Sequence, residues 1–410
     1  MLAAPLNLAP RAPLKGPAGA PAAAGPQPAP GQIRVLIADD SAVVRGLVAR
    51  WIGEAGFNVV GTASNGRIAL EMMNRHDPDV VLLDIDMPEL DGTEALPRML
   101  AASPTLQVVM MSTLTTRNAD ISLKCLALGA VDYLAKPESN RGVTTSDAFR
   151  AELVERVRLF GAVRARGRRP SPVSAPAVHE PAAPAPAPAV PASPAAPVSR
   201  LSAPFTLRPK ARPTTPRVLL IGSSTGGPRA VNEVLEKIGA ATLRRLPTLI
   251  VQHMPPIFTA VFAEHIAARV GLPAAEGKAD EPLQPGRIYV APGGRHMGLV
   301  GGAGRDPVIR LDDGPPVNFC RPAVDVLFKD AAAIFGPATA TVVLTGMGSD
   351  GTHGARALVD AGGPVLAQDE ATSTVWGMPG SVAKAGLAQA VLPLAEIGPA
   401  LRNLITGQPA

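Results

Sequence analysis

Cysteine is scarce in this chain. Cys125 and Cys320 stand in different halves and share no metal-ligand or redox spacing, which excludes a disulfide framework and leaves both as reduced, structural residues. Aromatic residues make up 3% of the sequence, and excess charge is local rather than general. The formal net charge is +5, yet residues 161–216 hold eight Arg or Lys against one Glu, so the remainder carries −2. That distribution argues against a nucleic-acid binder, which needs a basic face on a folded domain. Long apolar runs are missing too: nothing spans a bilayer, and the proline-broken first 31 residues hold no export signal. The expectation is a cytoplasmic protein that is not itself a membrane protein.

What is present is enough apolar material, 46% of 410 residues, for two ordinary domains. Residues 1–31 are Ala/Pro/Gly-rich and are expected to be a disordered extension. From 32 to 160, the runs IRVLIA, FNVVGTA, DVVLLD, LQVVMM and VDYLA alternate with helical patterns, predicting a five-stranded parallel sheet of flavodoxin-like kind. Residues 161–216, with GRRP and Ala-Pro tracts, read as an extended linker. Residues 217–410 alternate again (VLLIG, TLIVQ, RIYVA, TVVLTG, PVLAQ), predicting a second doubly wound, mostly parallel α/β domain. Its RIYVA, GLV and PVIRL segments are expected to form an antiparallel ribbon at one edge.

In parallel sheets, ligands bind outside the carboxyl ends of the strands. At those ends in the first domain stand Asp39, Asp40 and Asp84. Three gathered carboxylates repel unless a hard cation neutralises them, and an all-oxygen site suits Mg²⁺; helix capping by Asp40 and a turn at Asp84 are the structural alternative. Lys136, ending the fifth strand, favours the site, since an ammonium group there could pair with a phosphoryl oxygen, as could the hydroxyl of Ser112 or Thr113. Through the Asp39–Asp40 pair, LLDIDMPELDG, MMST and AKP, this region resembles a two-component receiver domain. The resemblance implies that Asp84 accepts a phosphoryl group from a histidine kinase. It also implies that Asp40, Asp84 and the backbone carbonyl of Asp86 hold Mg²⁺, and that Ser112 and Tyr133 relay the change.

In the second domain, VLLIGSSTGGP (218–228) runs from a strand into a Gly-rich turn with Pro228 at a helix start. Such a junction presents free N–H groups to an anion or oxyanion, and either Ser223 or Ser224 could project as a nucleophile; a phosphate cradle is the alternative. A serine nucleophile needs a base and a group to orient that base. His253, directly after TLIVQ, is the first candidate base and His296 the second. Asp350 after TVVLTGMGS competes with Asp369 as the orienting carboxylate, and Gly346-Met347-Gly348 offers oxyanion N–H groups.

Through IGSSTGGP, IVQHMPP, YVAPGGRHM, LTGMGSDG and QDEATSTVWGMP, residues 217–400 resemble the catalytic domain of the chemotaxis response-regulator protein-glutamate methylesterases. The resemblance implies a nucleophile at Ser224, a base at His253 and an orienting carboxylate at Asp350, with Thr225 beside the nucleophile and the Met347 N–H at the oxyanion. Ser223 and Ser349 depart from the family's commoner alanine and asparagine. The expected function is a phosphorylation-activated hydrolase. It would remove methyl groups from glutamate esters of chemotaxis receptors, releasing methanol, and deamidate receptor glutamines; no cofactor is expected in the catalytic domain. The competing reading is a non-catalytic signalling module whose output domain binds a phosphorylated ligand.

Overall fold

The structure is a computed structural model describing residues 32–136, 147–167, 205–209, 214–302 and 305–407. The expected 1–31 extension and most of the expected linker lie outside the described residues.

In the first domain, β1 (Arg34–Ala38), β2 (Asn58–Ala63), β3 (Val80–Asp84), β4 (Gln107–Thr113) and β5 (Asp132–Lys136) pair in parallel in the order β2-β1-β3-β4-β5. The inner strands are apolar on both faces because helices cover both: α1 (Ala42–Glu54) and α5 (Asp147–Gly167) on one, α2 (Gly66–His76), α3 (Gly92–Ala102) and α4 (Thr116–Leu128) on the other. Ser41, Asn65, Asp91 and Thr115 cap α1 to α4 by accepting from backbone N–H groups of the first turn. α5 continues past 160, where the linker was expected to begin, because Arg164 on it donates to Asp77 and to Ser103 Oγ.

The second domain is a seven-stranded parallel sheet, ordered β14-β13-β12-β6-β7-β9-β8. Its strands are β6 (Val218–Ser223), β7 (Thr248–Gln252), β8 (Ala274–Glu276), β9 (Ile288–Val290), β12 (Thr339–Val343), β13 (Val365–Gln368) and β14 (Ala390–Leu392). The ribbon, β10 (His296–Gly302) against β11 (Arg305–Asp312), is antiparallel but forms a separate sheet, whereas RIYVA joins the parallel sheet as β9. Met297, Leu299 and Ile309 of the ribbon pack with Phe328, which sits on a helix covering the main sheet.

The helices are α6 (Gly227–Ile238), α7 (Ala240–Leu243), α8 (Phe258–Val270), α9 (Val324–Phe335), α10 (Thr352–Asp360), α11 (Met378–Lys384) and α12 (Leu394–Thr406). The chain leaves β6 toward β7, β8 and β9 on one side and returns to β12, β13 and β14 on the other. The strand order therefore reverses between β6 and β12, and the crevice beyond their carboxyl ends is where such a sheet binds its ligand. The end of the linker rests on this domain: Phe205 packs against Trp376, with ring centroids 6.1 Å apart, and Arg208 N–H donates to Ala388 O at 3.0 Å.

Phe328 is wholly buried between α9, the ribbon and the sheet. Phe328→Ala should cost about 3–5 kcal/mol, read as an earlier denaturant midpoint for the second domain's unfolding.

Candidate active site

Ser224, His253 and the 344–350 loop meet at that reversal point. Ser223 lies opposite Gln252 in the β6–β7 register and Gly222 opposite Val343 in the β6–β12 register, so the loops leaving these three strands emerge at one rim. Ser224 N–H donates to Thr345 O at 3.0 Å and His253 N–H to Ser223 O at 3.1 Å, which fixes the three segments to one another. The fit between loops is close: a Cβ at Gly346 would lie 2.8 Å from that of Ser224. Gly226, at φ +74°, turns the chain into α6 where a Cβ would meet Thr374 Oγ1 at 2.2 Å.

The two adjacent hydroxyls have different surroundings. Ser223 is fully buried and donates to Gln252 Oε1 at 2.7 Å, while Gln252 Nε2 holds Ser224 O at 2.8 Å. Ser224 keeps 9% of its surface exposed, which leaves it as the hydroxyl a substrate could reach. Thr225 and Met347 present backbone N–H groups that meet no acceptor among the described residues, on the two loops flanking Ser224.

His253 Nε2 lies 2.8 Å from Asp350 Oδ2. Asp350 is 2% exposed and its two oxygens accept from five donors: the imidazole, Asn318 Nδ2 and the N–H groups of Val324, Asp325 and Gly351. Two of these N–H groups open α9, so the positive end of a helix faces the carboxylate. Burial works to raise the Asp350 pKa, but the bond to His253 and the N–H and Asn318 donors outweigh it and hold the group below its ordinary value. For His253, burial pulls the pKa down, yet the bonds to Asp350 and Cys320 lift it to about 9. Nδ1, the nitrogen left for a substrate proton, stands 3.4 Å from Cys320 Sγ, and no hydrogen bond joins it to Ser224 among the described residues. Catalytic hydrogen bonds often tighten only when substrate binds.

His296, the second candidate base, has a bracing role: Nδ1 accepts from Ala323 N–H at 3.2 Å, and Nε2–H donates to Pro315 O at 3.1 Å. Asp369 accepts from Thr372 and stands apart from His253. Cys320 is a free thiol, as expected, and it lies against the imidazole. The sequence pattern predicts a helix near 322–335, and α9 (Val324–Phe335) lies there; Asn318 went unseen, an isolated polar residue with no pattern around it.

In the first domain, Lys136 Nζ donates to Asp84 Oδ1 at 2.6 Å and Asp39 Oδ2 at 3.2 Å. Asp39, Asp40 and Asp84 bring carboxylate oxygens within 4.8 Å of one another, a hard-donor set suited in size and charge to Mg²⁺. Burial, against the pull of Lys136, pushes Asp84 up to about 7. The Asp86 side chain is exposed and accepts from Asn118. Ser112 Oγ is hydrogen-bonded to Ser122 Oγ on α4 at 3.0 Å, and Tyr133 is buried.

The two sites are physically joined. Tyr133 stacks on Phe258 of α8, with centroids 4.6 Å apart and planes 5° from parallel, and Asp120 on α4 pairs with His265 Nε2 at 2.7 Å. Arg156 on α5 donates from Nη1 to Thr225 Oγ1 at 2.7 Å, beside Ser224. Burial lowers the Arg156 pKa less than the facing carboxylates of Asp132 and Glu152 raise it, so it stays charged. Val375 and Met347, next to the serine loop, pack into the same cluster as Phe149 and Leu153 of α5.

A model of the CheB methylesterase family matches residues 219–401, and one of the response regulator receiver domain matches residues 35–146. A protein-glutamate methylesterase/protein-glutamine glutaminase of group 2 operon from Rhodopseudomonas palustris is 50% identical over 391 residues, covering 95% of this chain and 98% of its own. Its namesake in Bradyrhizobium diazoefficiens is 49% identical over 385 residues, covering 92% and 95%. Among solved structures, the Thermotoga maritima CheB methylesterase catalytic domain is 39% identical and covers 47% of this chain and 100% of its own, at a TM-score of 0.44.

If His253 must be neutral to accept a proton, kcat/KM for the esterase reaction should climb about tenfold per pH unit below its pKa and level off near pH 9. Cys320→Ala removes one influence that raises this pKa, so the rising limb should move to lower pH.

Proposed function

The chain belongs to the protein-glutamate methylesterase/protein-glutamine glutaminase family, and from that premise we propose how its residues carry out the reaction. It is a receiver-bearing hydrolase of chemotactic adaptation, acting on receptor glutamate methyl esters and glutamines. The single observation that supports the assignment of roles is the convergence of Ser224, the His253–Asp350 pair at 2.8 Å and the open N–H groups of Thr225 and Met347 at the sheet's reversal point.

Ser224 Oγ attacks the side-chain carbonyl carbon while His253 Nδ1 takes its proton, and the Thr225 and Met347 N–H groups donate to the oxyanion that forms. The bond to the leaving group then breaks, and the imidazolium returns its proton to it, releasing methanol from an ester or ammonia from an amide. A water deprotonated by His253 attacks the glutamyl-Ser224 ester and yields glutamate and free enzyme. Asp350, held anionic by α9 and Asn318, fixes the ring orientation and favours the imidazolium. The phospho-ligand module is not favoured, because an anion cradle gives no use to a buried His–Asp pair.

Asp84 is the phosphoryl acceptor in this reading, with a histidine kinase as donor. Asp39, Asp40, Asp84 and the Asp86 carbonyl would hold Mg²⁺, which would supply charge neutralisation for the phosphoryl oxygens. Lys136 and Ser112 turn toward the added negative charge; Ser112 leaves Ser122, and α4 and Tyr133 shift with it. Tyr133 is in contact with Phe258 and α4 with His265, and Asp132, next to Tyr133, faces the Arg156 that holds Thr225, so the receiver's hold over the serine loop weakens.

Ser224→Ala should abolish methanol release from methylated receptors, and Asp84→Ala should abolish its stimulation by a phosphodonor. Arg156→Ala loses a charged hydrogen bond to the serine loop and should raise the rate without phosphodonor about tenfold or more.

A further inference from the structure

In the turn Asn318-Phe319-Cys320, Asn318 and Cys320 hold Asp350 and His253, while Phe319 between them has no part in the chemistry above. Val317 and Cys320 close it with reciprocal backbone hydrogen bonds of 3.0 and 2.9 Å. Asn318 Nδ2 donates to Asp350 Oδ1 at 3.0 Å and to Asp325 Oδ2 at 2.9 Å, and Cys320 Sγ stands 3.4 Å from His253 Nδ1. Arg321 Nη1 donates to Asp313 O and Gly314 O, and His296 to Pro315 O, so the loop is braced from its base to its tip.

Between these anchored neighbours Phe319 is completely exposed, and its φ of +63° is one a bulky side chain rarely adopts. Asn318 before it, at φ +52°, belongs to a type that tolerates the left-handed region; phenylalanine does not. The strain brings Phe319 no burial in return, and such uncompensated strain gathers at functional sites.

We infer that Phe319 is a substrate contact: an apolar lip that takes an apolar side chain of the receptor beside the glutamate methyl ester entering toward Ser224. This rests on the proposed esterase reading. The receiver contacts Thr225, Phe258, Met347 and Val375 but leaves Phe319 fully exposed, so the lip is open in the receiver-docked enzyme as well. It therefore acts on receptor affinity in both phosphorylation states.

The test is methanol release by the full-length protein from membranes carrying methylated receptor, with and without phosphodonor. A fluorophosphonate that labels the active serine reports separately on the chemistry. Phe319→Ala should raise KM about tenfold in both states with kcat and labelling rate within about twofold of wild type, and Phe319→Leu should recover most of the loss. Phe319→Gly relieves the backbone and should raise the thermal midpoint while raising KM as alanine does. An unchanged KM in Phe319→Ala, or kcat and labelling falling together, would overturn the inference by making the turn no more than a brace for Asp350. Methanol release surviving in Ser224→Ala would instead overturn the esterase reading, whatever Phe319 does.

Discussion

The buried carboxylate of Asp350 is the constraint around which the second domain is built. A charge taken out of water is tolerated only when its lone pairs are filled, and here five donors from neighbouring segments fill them, chiefly the start of α9, the 318 turn and the imidazole after β7. Satisfying that one group sets the direction in which α9 approaches the sheet, which in turn carries Phe328 into the core and presses the ribbon against it. Stability and reactivity share these contacts, so the site cannot loosen without the packing behind it loosening too.

The receiver acts on this arrangement without touching Asp350. Its points of contact are Thr225, Phe258, His265, Met347 and Val375, all on the serine side of the crevice. Arg156 is central because it must satisfy Asp132, Glu152 and Thr225 at once; its Nε lies 3.1 Å from Asp132 Oδ2, as an ion pair rather than an aligned hydrogen bond. Tyr133, close in sequence to Lys136, provides the mechanical link from the carboxylate cluster to α8.

Much of this could be read in the sequence. Strand periodicity, acidic residues at strand ends and Gly-rich turns located both sheets and brought Ser223 or Ser224, His253 or His296, and Asp350 or Asp369 forward as candidates, while the resemblance to the methylesterases singled out Ser224, His253 and Asp350. What escaped was non-local or faint. β8 and β14 are three-residue, half-buried strands with little pattern to detect, and α12 contains Pro399, which argues against a helix. The Arg-rich end of α5 has a linker's composition, and its helix is secured by Asp77 and Ser103, far off in sequence. Asn318 is an ordinary polar residue until the fold brings Asp350 and Asp325 to it, and Arg156 acquires its meaning from a different domain.

The seating of Phe205 on Trp376 and of Arg208 on Ala388 means that the connecting segment is tied down where it arrives, on the same domain that α5 rests against where it departs. A receiver released as proposed would stay in the neighbourhood of its own esterase, at a local concentration that such tethers typically hold near the millimolar range. Under that proposal shut-off would be a property of each molecule, timed by the lifetime of its acyl phosphate and indifferent to how many copies the cell contains.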